Sequence, residues 1–516
     1  MNLPAVHLAV MQPMGYVHSL GFLDQARYFR HQFRRMGAEV TISKNRLRED
    51  AVNFVFGAHL GFPAEWTRRH ACVFVQLEQL GHGGAKVSAE YLALLRRSAV
   101  VDYDAANLAS YAADPADVPL VPFLHAPYLR GEQSPPLEDR PIDLLFFGSM
   151  NPRRRAFIER VEASGARIST FDHAIYGAER DHYIRQAKAV LNCHFYETSR
   201  FEQARAFHCL SLGTPVISER TTQTQPPAAF DQAVFWLDAT DPAPFFRERF
   251  ATPAFFDEAR ARLAAFAQVD PIEAYADLLA FAAGFAQAHA NTRPAEAWRP
   301  PRVNLGSGKD YKPGWLNIDI LERAEPDLVL DLGQPVQLPL ESPTCRGGAV
   351  RLEPGQLELV YANNVLEHVP DLPTLMTQVL ALLKEGGRFQ IEVPYEHAPT
   401  AWQDPTHLRA LNENSWLYYT DWFWYLGWFE HRFEIETFQW LDLKLQPCAK
   451  EQAAFMKVDL RKVATTMKER TVARAMRSDF GGIEADDDTD PAEAAAQAPA
   501  AAATDCRTTA TSPLEP

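Results

Sequence analysis

The chain has 516 residues, of which 47% are hydrophobic and 23% are charged, a composition typical of a globular protein. Its formal net charge of −15 excludes broad binding to nucleic-acid backbones, which needs clustered Lys and Arg. Six cysteines without a Cys-x-x-Cys pair exclude a Cys-based zinc ribbon and favour a reducing compartment. The sequence shows neither a secretory signal nor a run of about 18 apolar residues. We therefore expect a cytoplasmic protein with no membrane span, and peripheral membrane contact stays open.

Residues 1–290 alternate short apolar runs with amphipathic stretches, a pattern that predicts repeated β-α units. A helical stretch over 253–290 is followed by a Pro-rich segment, 291–301, that predicts a linker. The buried strands expected in the first 290 residues are Val6–Met11, Phe54–Phe56, Val73–Leu77, Leu144–Phe147, Ala189–Leu191 and Pro215–Ile217.

A second β-α series begins at Val303 and runs to about residue 445. The last segment, 481–516, is acidic and Ala-rich with almost no large apolar side chains, so we expect it to be disordered. Its DDDTD run is interpreted as a solvating tail rather than a metal site.

The segment 303–320 carries the clearest chemical signal. The predicted strand Val303–Leu305 is followed by a turn of Gly306, Ser307 and Gly308, whose glycines let a ligand approach the backbone closely. Asp319 ends the next predicted strand, where an acid can receive ribose hydroxyls. A third glycine is missing, which favours a nucleoside ligand that lacks a pyrophosphate.

Downstream segments continue this pattern. Predicted strands end before Asp331 and before Asn363 and Asn364. A predicted helix then begins at Asp371, and a further strand covers Phe389–Val393.

The motifs LGSG, GWLNIDI, VLDL, NNVLEHVPD and LLKEGGRFQIEVP together resemble class I S-adenosylmethionine-dependent methyltransferases over residues 300–445. The resemblance implies a seven-stranded sheet with S-adenosylmethionine lying across the carboxyl ends of the strands. It places the glycines at the methionine moiety, Asp319 at the ribose and Asp331 near the adenine. The implied cofactor-binding set is Gly306, Ser307, Gly308, Asp319, Asp331, Asn363 and Asn364.

Methyl transfer to a hydroxyl needs a positioned base. We expect His407, in the loop after the fifth strand, to be that base, with Asp404 or Glu396 as its orienting acid. The alternative is that His407 only braces its loop. Glu367 and His368 either orient the turn after the fourth strand or contact the substrate. No Cys/His array or HExxH motif indicates a metal.

The aromatic run at 416–433 has two interpretations, a stacking platform for a sugar or lipid-linked acceptor, or core that closes over the sheet edge. The large area that aromatic side chains bury favours core, with a few rings exposed.

A second constellation lies at 142–219. Gly148 precedes a helix that opens with Arg153 and Arg154, where amides and guanidinium groups favour a diphosphate, although a solvated basic helix start is the plainer alternative. Glu202 and Arg205, three residues apart, share one helix face.

This region, with its FGS-N-RR, AK-VLN-H and PVISE motifs, resembles the nucleotide-sugar half of GT-B glycosyltransferases. The resemblance implies that His59, Glu78 and Asp102 belong to the acceptor side. Arg200 and His208 stand where retaining enzymes commonly carry two glutamates, and the DxD at 102–104 is interpreted as a chance match. The implied nucleotide-sugar set is Gly148, Arg153, Arg154, His194, Glu202 and Arg205.

The predicted fold class is α/β: two Rossmann-like GT-B subdomains, a Rossmann-like class I methyltransferase sheet and a disordered C-terminal tail. The predicted boundaries are 1–135 for the acceptor-side subdomain, 136–290 for the nucleotide-sugar subdomain, 291–301 for the linker, 302–475 for the methyltransferase domain and 481–516 for the tail.

The predicted function is bifunctional glycan modification, with O-methylation by the C-terminal domain and glycosyl transfer from a nucleotide-sugar donor by the N-terminal half. The expected acceptor is a glycan or lipid-linked glycan, and no nucleic acid is expected. The first alternative is a methyltransferase whose GT-B-like module only binds a glycan or partner. The second is a nucleotide-binding scaffold without chemistry.

Overall fold

The computed structural model describes residues 3–13, 15–130 and 134–477. The predicted tail at 481–516 lies outside the described residues.

Five parallel strands form the first sheet, in the order β2-β1-β3-β4-β5. Strands β1, β3 and β4 are buried at every position, as expected when helices and loops cover both faces of a parallel sheet. The elements are β1 (Val6–Val10), α1 (Phe22–Arg35), β2 (Val40–Lys44), β3 (Val52–Phe56), β4 (Cys72–Gln76), α2 (Ala89–Arg96) and β5 (Ala99–Asp102).

The second sheet is also parallel, in the order β10-β9-β8-β6-β7. Its elements are β6 (Ile142–Leu145), α3 (Pro152–Ala163), β7 (Ile168–Ser169), α4 (Gly177–Gln186), β8 (Ala187–Asn192), α5 (Gln203–Ser211), β9 (Val216–Arg220), α6 (Ala228–Ala233), β10 (Phe235–Asp238), α7 (Pro253–Phe266) and α8 (Ile272–Ala290).

The first two sheets share one hydrophobic core. Tyr28 of α1 contacts Phe207 of α5 and Tyr275 of α8, with ring centroids 5.1 and 5.7 Å away. Helix α8 therefore returns to the first sheet after the second is complete. We call residues 3–290 the N-terminal unit.

The third sheet has seven strands, in the order β13-β12-β11-β16-β17-β19-β18, as the methyltransferase resemblance implies. Its last two strands are antiparallel to their neighbours. The elements are β11 (Arg302–Leu305), β12 (Leu316–Asp319), β13 (Leu328–Val329), β14 (Leu340–Pro343), β15 (Ala349–Leu352), β16 (Leu357–Asn363), α9 (Leu372–Leu382), β17 (Leu383–Pro394), β18 (His431–Leu441), β19 (Phe455–Ala464) and α10 (Met467–Met476). The predicted α/β class with parallel Rossmann-like sheets is confirmed.

The Pro-rich segment at 291–301 is attached to β15, which pairs with β14 in a separate antiparallel two-stranded sheet. Trp298 N–H donates to the Ala349 carbonyl at 2.7 Å, and Arg351 N–H donates to the Trp298 carbonyl at 2.8 Å. The Trp298 side chain also packs against the core of the third sheet. The segment predicted as a linker therefore has fixed contacts.

The aromatic run at 416–433 is mostly core, as its composition favours. Trp416, Tyr419, Phe423, Trp428 and Phe433 are buried. Three rings are exposed: Tyr418, Trp422 and Tyr425. The Tyr418 ring contacts the rings of Trp422 and Tyr425, at centroid distances of 5.3 and 5.4 Å.

Within the described parts of the chain, none of the helices combines the length and the apolar character that a bilayer crossing needs. The five cysteines in those parts are free thiols.

Candidate functional site

The turn after β11 contains the predicted cofactor residues Gly306, Ser307 and Gly308. Gly306 and Gly308 have φ of +63° and +44°, a region that favours glycine. A Cβ on Gly306 would lie 2.4 Å from Cγ2 of Val365, so the turn packs directly against the segment that follows β16. This contact brings the residues after β11 and those after β16 together at the carboxyl ends of adjacent strands.

Asp319, at the end of β12, holds this turn in place. Its Oδ2 accepts from the Gly308 N–H at 2.8 Å, and its Oδ1 accepts from the Leu321 N–H at 2.9 Å. Each carboxylate oxygen keeps acceptor capacity beyond its one backbone bond, because an ionised carboxylate offers about four lone-pair sites. The carboxylate thus both shapes the turn and presents acceptors at the strand ends.

Two buried polar atoms beside the turn have no hydrogen-bond partner among the described residues. They are Ser307 Oγ and Asn363 Oδ1. Buried polar atoms are usually satisfied, so such an orphan pair beside a glycine turn is what a polar ligand would complete. The residues present therefore fit a nucleoside cofactor.

A cavity of about 1060 Å³ opens at this edge. Gly308 and Asp319 line it, together with Leu321. The other predicted cofactor residues do not line this cavity. Asn364, with φ of +51°, donates its N–H to the Glu392 carbonyl, and the exposed Asp331 accepts from the Gly333 N–H through its Oδ1.

His407 lies beside Glu367, which the sequence analysis considered only as a turn-orienting or substrate-contacting residue. The His407 Nδ1–H donates to the Ala401 carbonyl at 2.8 Å. In the neutral ring, this bond leaves the His407 Nε2 unprotonated. This Nε2 lies 4.0 Å from Glu367 Oε1. A backbone bond from the Leu408 N–H to the Glu367 carbonyl, 2.8 Å long, fixes the loop against the strand end.

Neither predicted orienting acid contacts the His407 ring. Asp404 Oδ1 accepts from the N–H and the hydroxyl of Thr406, so its carboxylate stabilises the loop turn. Glu396 Oε2 accepts from Asn412 Nδ2 at 2.8 Å. The acid that faces His407 is instead Glu367, because the loop folds back onto the residues after β16.

Glu367 is 2% exposed, and both of its carboxylate oxygens lack a hydrogen-bond partner among the described residues. Burial raises the pKa of Glu367 to about 7. Glu367, His368 and His407 also place one potential ligand atom each within 4.8 Å of one another, a spacing that could hold a divalent ion. An unprotonated Nε2 is the form of the ring that can accept a proton or ligate a metal ion, so the geometry suits either use.

In the N-terminal unit, Glu202 lies between two guanidinium groups. Arg154 Nη2 donates to its Oε1 and Arg205 Nη1 pairs with its Oε2, both at 2.8 Å. Burial alone would raise the pKa of Glu202, but the charges of Arg205 and Arg154 hold this pKa below its ordinary value. Gly148 makes room for this cluster, since a Cβ there would lie 2.8 Å from Arg205 Nη2.

Arg153 and His194 form a neighbouring group. Arg153 forms a bidentate ion pair with Glu219, at 2.7 and 3.0 Å, and donates to the His194 carbonyl. Burial lowers the pKa of His194, and both ring nitrogens lack a hydrogen-bond partner among the described residues. The predicted nucleotide-sugar residues thus lie in two adjoining ion-pair groups.

A cavity of about 260 Å³ lies between the first two sheets. Glu202 and Arg205 line it from α5 and its N-cap, and Glu78 and Tyr103 line it from the ends of β4 and β5. His59 Nε2 lies 3.6 Å from Glu78 Oε1. Gly148, Arg153, Arg154 and His194 lie outside the lining of this cavity.

The residues that depart from the glycosyltransferase pattern have structural contacts. Arg200 joins the first two sheets by an ion pair with Asp104 and a hydrogen bond to Asn107 Oδ1. His208 Nε2 lies 2.7 Å from the buried Asp181. Asp102 is buried, where it accepts four hydrogen bonds, and burial raises its pKa to about 6. The DxD match at 102–104 therefore serves folding.

A family model described as a methyltransferase domain matches residues 247–441. This match confirms the methyltransferase resemblance, so the C-terminal part of the chain contains a methyltransferase domain. The matched range starts ahead of α7 and α8, which pack in the N-terminal unit, and ends with β18. No curated protein matches the chain.

Among solved structures, Anabaena Alr3699/HepE in complex with UDP and glucose is 10% identical, with a TM-score of 0.38, 55% of this chain covered and 100% of that chain. AviGT4, a glycosyltransferase involved in avilamycin A biosynthesis, is 13% identical, with a TM-score of 0.39 and coverages of 55% and 98%. An S-adenosylmethionine-dependent methyltransferase from Mesorhizobium loti is 18% identical, with a TM-score of 0.21 and coverages of 34% and 96%.

Asp319→Asn is expected to weaken S-adenosylhomocysteine binding about tenfold, because roughly 1.4 kcal/mol of charge-assisted hydrogen bonding is lost. Isothermal titration calorimetry on the full chain measures this change. Asp421→Asn, an exposed carboxylate outside the cavity, is the matched control and keeps wild-type affinity. Equal S-adenosylhomocysteine affinities for the two variants would show that Asp319 does not contribute to cofactor binding.

The unfolding free energy of Glu367→Gln is expected to rise relative to that of wild type as the pH increases from 5 to 8. The folded carboxyl has a pKa of about 7 against an ordinary value of 4.5, so the folded state holds its proton more tightly and loses stability as the pH rises through that window. The neutral amide does not titrate. The difference in unfolding free energy, from urea titrations at both pH values, should move by at most about 3 kcal/mol in favour of the variant. A difference independent of pH would contradict the raised pKa.

Proposed function

We propose that the C-terminal domain transfers a methyl group from S-adenosylmethionine to a glycan hydroxyl. The observation that carries this proposal is the Gly308–Asp319 turn, which presents a glycine cradle and a carboxylate to one cavity. The family model supports the methyltransferase class. The bound cofactor would supply an electrophilic methyl group on its sulfonium.

In this proposal His407 is the base. Its Nε2 is free to take the acceptor hydroxyl proton while Nδ1–H remains bonded to the Ala401 carbonyl. Glu367 faces the same nitrogen from its buried position, with its Oε1 4.0 Å away. An ionised Glu367 would then stabilise the imidazolium that forms.

His407→Ala is expected to lower kcat by about 10² to 10⁴, the usual contribution of a general base, with S-adenosylhomocysteine affinity unchanged. Methyl transfer to sugar acceptors, followed with radiolabelled donor, measures kcat. His397→Ala is the matched control, since His397 is exposed and pairs only loosely with Glu396. Wild-type kcat in His407→Ala would show that His407 only braces its loop.

We further propose that the N-terminal unit binds a nucleotide sugar and transfers its sugar, with the diphosphate at Arg205, which Arg154 supports through Glu202, and the ribose at Glu202. The cavity that Glu202 and Arg205 line at the carboxyl ends of β4 and β5 supports this role. The two guanidinium groups exceed the charge of Glu202, so their cluster favours an anion.

Arg205→Ala is expected to weaken nucleoside diphosphate binding at least tenfold, because a charge-assisted contact to the diphosphate is lost. Thermal-shift titration with a panel of nucleoside diphosphates measures the effect. Arg247→Ala, exposed and remote from this cavity, is the control. Unchanged binding in Arg205→Ala would exclude this diphosphate site.

The alternative, a module that binds a glycan or partner without catalysis, is favoured by one observation. Positions 200 and 208 carry Arg and His in place of two acids, and both side chains form structural contacts. Nucleotide-sugar turnover by the full chain separates the two functions. Turnover supports transfer, whereas binding without turnover supports the module.

A further inference from the structure

The cavity at the Gly308–Asp319 turn has two walls that come from different parts of the chain. One wall is the carboxyl edge of the third sheet, with Gly308 and Asp319. The other is the carboxyl edge of the first sheet, with Gln12 after β1, Lys44 at the end of β2 and Leu60 after β3. In open α/β sheets ligands bind outside the carboxyl ends of the strands. Two such edges therefore face one space.

The contact between these walls is closely packed. Arg46 lies over the Tyr311 ring, 4.6 Å from its centroid, and forms an ion pair with Glu325. The Tyr311 hydroxyl donates to Asp327 Oδ1 at 2.7 Å. A Cβ on Gly314 would lie 3.0 Å from Trp66 Nε1, so the N-terminal unit occupies the space above the loop between β11 and β12.

The charge of the cavity is positive, although the chain has a net charge of −15. Arg46 and Lys312 pair with Glu325 and Asp310, and the Asp319 carboxylate accepts two backbone bonds. Three further lining cations form no ion pair or hydrogen bond with a described residue: Lys44, Lys309 and Arg323. The lining carries five cationic and three anionic side chains, which gives the cavity a net charge of 5 − 3 = +2.

The size and the aromatic lining narrow the ligand class. A volume of about 1060 Å³ reaches the upper end of the range for single ligands, about 300–1,000 Å³, so it has room for a methyl donor and part of an acceptor. Trp66 and Trp315 line the cavity from its two walls and add apolar surface to it. The donor cannot neutralise this excess positive charge, because its one carboxylate is already balanced by its own ammonium group.

We propose that this cavity binds an anionic group of the acceptor sugar, a phosphate or a carboxylate, between Lys44 of the N-terminal unit and Lys309 and Arg323 of the methyltransferase sheet, whereas the hydroxyl that is methylated lies at His407, outside the lining of the cavity. The proposal rests on the methyl-transfer function proposed above. It makes the N-terminal unit part of the acceptor site and gives the acceptor a charge.

The test is calorimetric titration of the full chain, saturated with S-adenosylhomocysteine, with three probes: glucose 1-phosphate, glucuronate and neutral glucose. At least one anionic probe is expected to bind tenfold or more tightly than glucose, and the better of the two identifies the anion. Lys44→Glu is expected to weaken that binding at least tenfold, while Lys86→Glu, an exposed lysine of the same unit outside the cavity, has no effect. Lys309→Glu, on the opposite wall, should repeat the loss.

Anionic probes that bind no better than glucose would overturn the proposal. So would equal binding by Lys44→Glu and Lys86→Glu, or a loss seen only in Arg205→Ala, which would assign the anion to the cavity between the first two sheets. Titration with S-adenosylhomocysteine alone separates the two failures. If S-adenosylhomocysteine binds but neither anionic probe does, the proposed methyl transfer stands and only the anionic acceptor is rejected.

Discussion

The bond from the Gly308 N–H to the Asp319 carboxylate is the constraint on which the C-terminal site depends. It joins the end of β11 to the end of β12 and fixes a turn whose glycines have positive φ. The same carboxylate lines the large cavity, so one side chain both shapes the turn and offers hydrogen-bond acceptors to the proposed donor site.

The first sheet gives the molecule its functional layout. Its carboxyl edge borders two cavities, with the ends of β1 and β2 on the large one and the ends of β4 and β5 on the smaller one. The first sheet therefore borders both of the proposed sites. This arrangement gives a physical reason for joining the two halves in one chain, because a bound acceptor would remain near both proposed sites.

The sequence predicted the elements whose signals are local. Buried runs such as Val303–Leu305 and Val73–Leu77 mark strands because burial on both faces demands continuous apolar residues. Strand β19, with its alternating burial, was not singled out, although FMKVDLRKVA carries the period-2 pattern. The Glu367–His407 pairing and the wall formed by Lys44 and Trp66 had no signal in the sequence, since both arise when distant segments meet.

The account is tested most directly by a crystal structure of the full chain grown with S-adenosylhomocysteine. The account predicts the ligand in the large cavity, with its ribose hydroxyls within hydrogen-bond distance of the Asp319 carboxylate and its amino-acid end beside Gly306 and Gly308. Density for the ligand at another edge of the third sheet, or an empty cavity at saturating ligand, would contradict it.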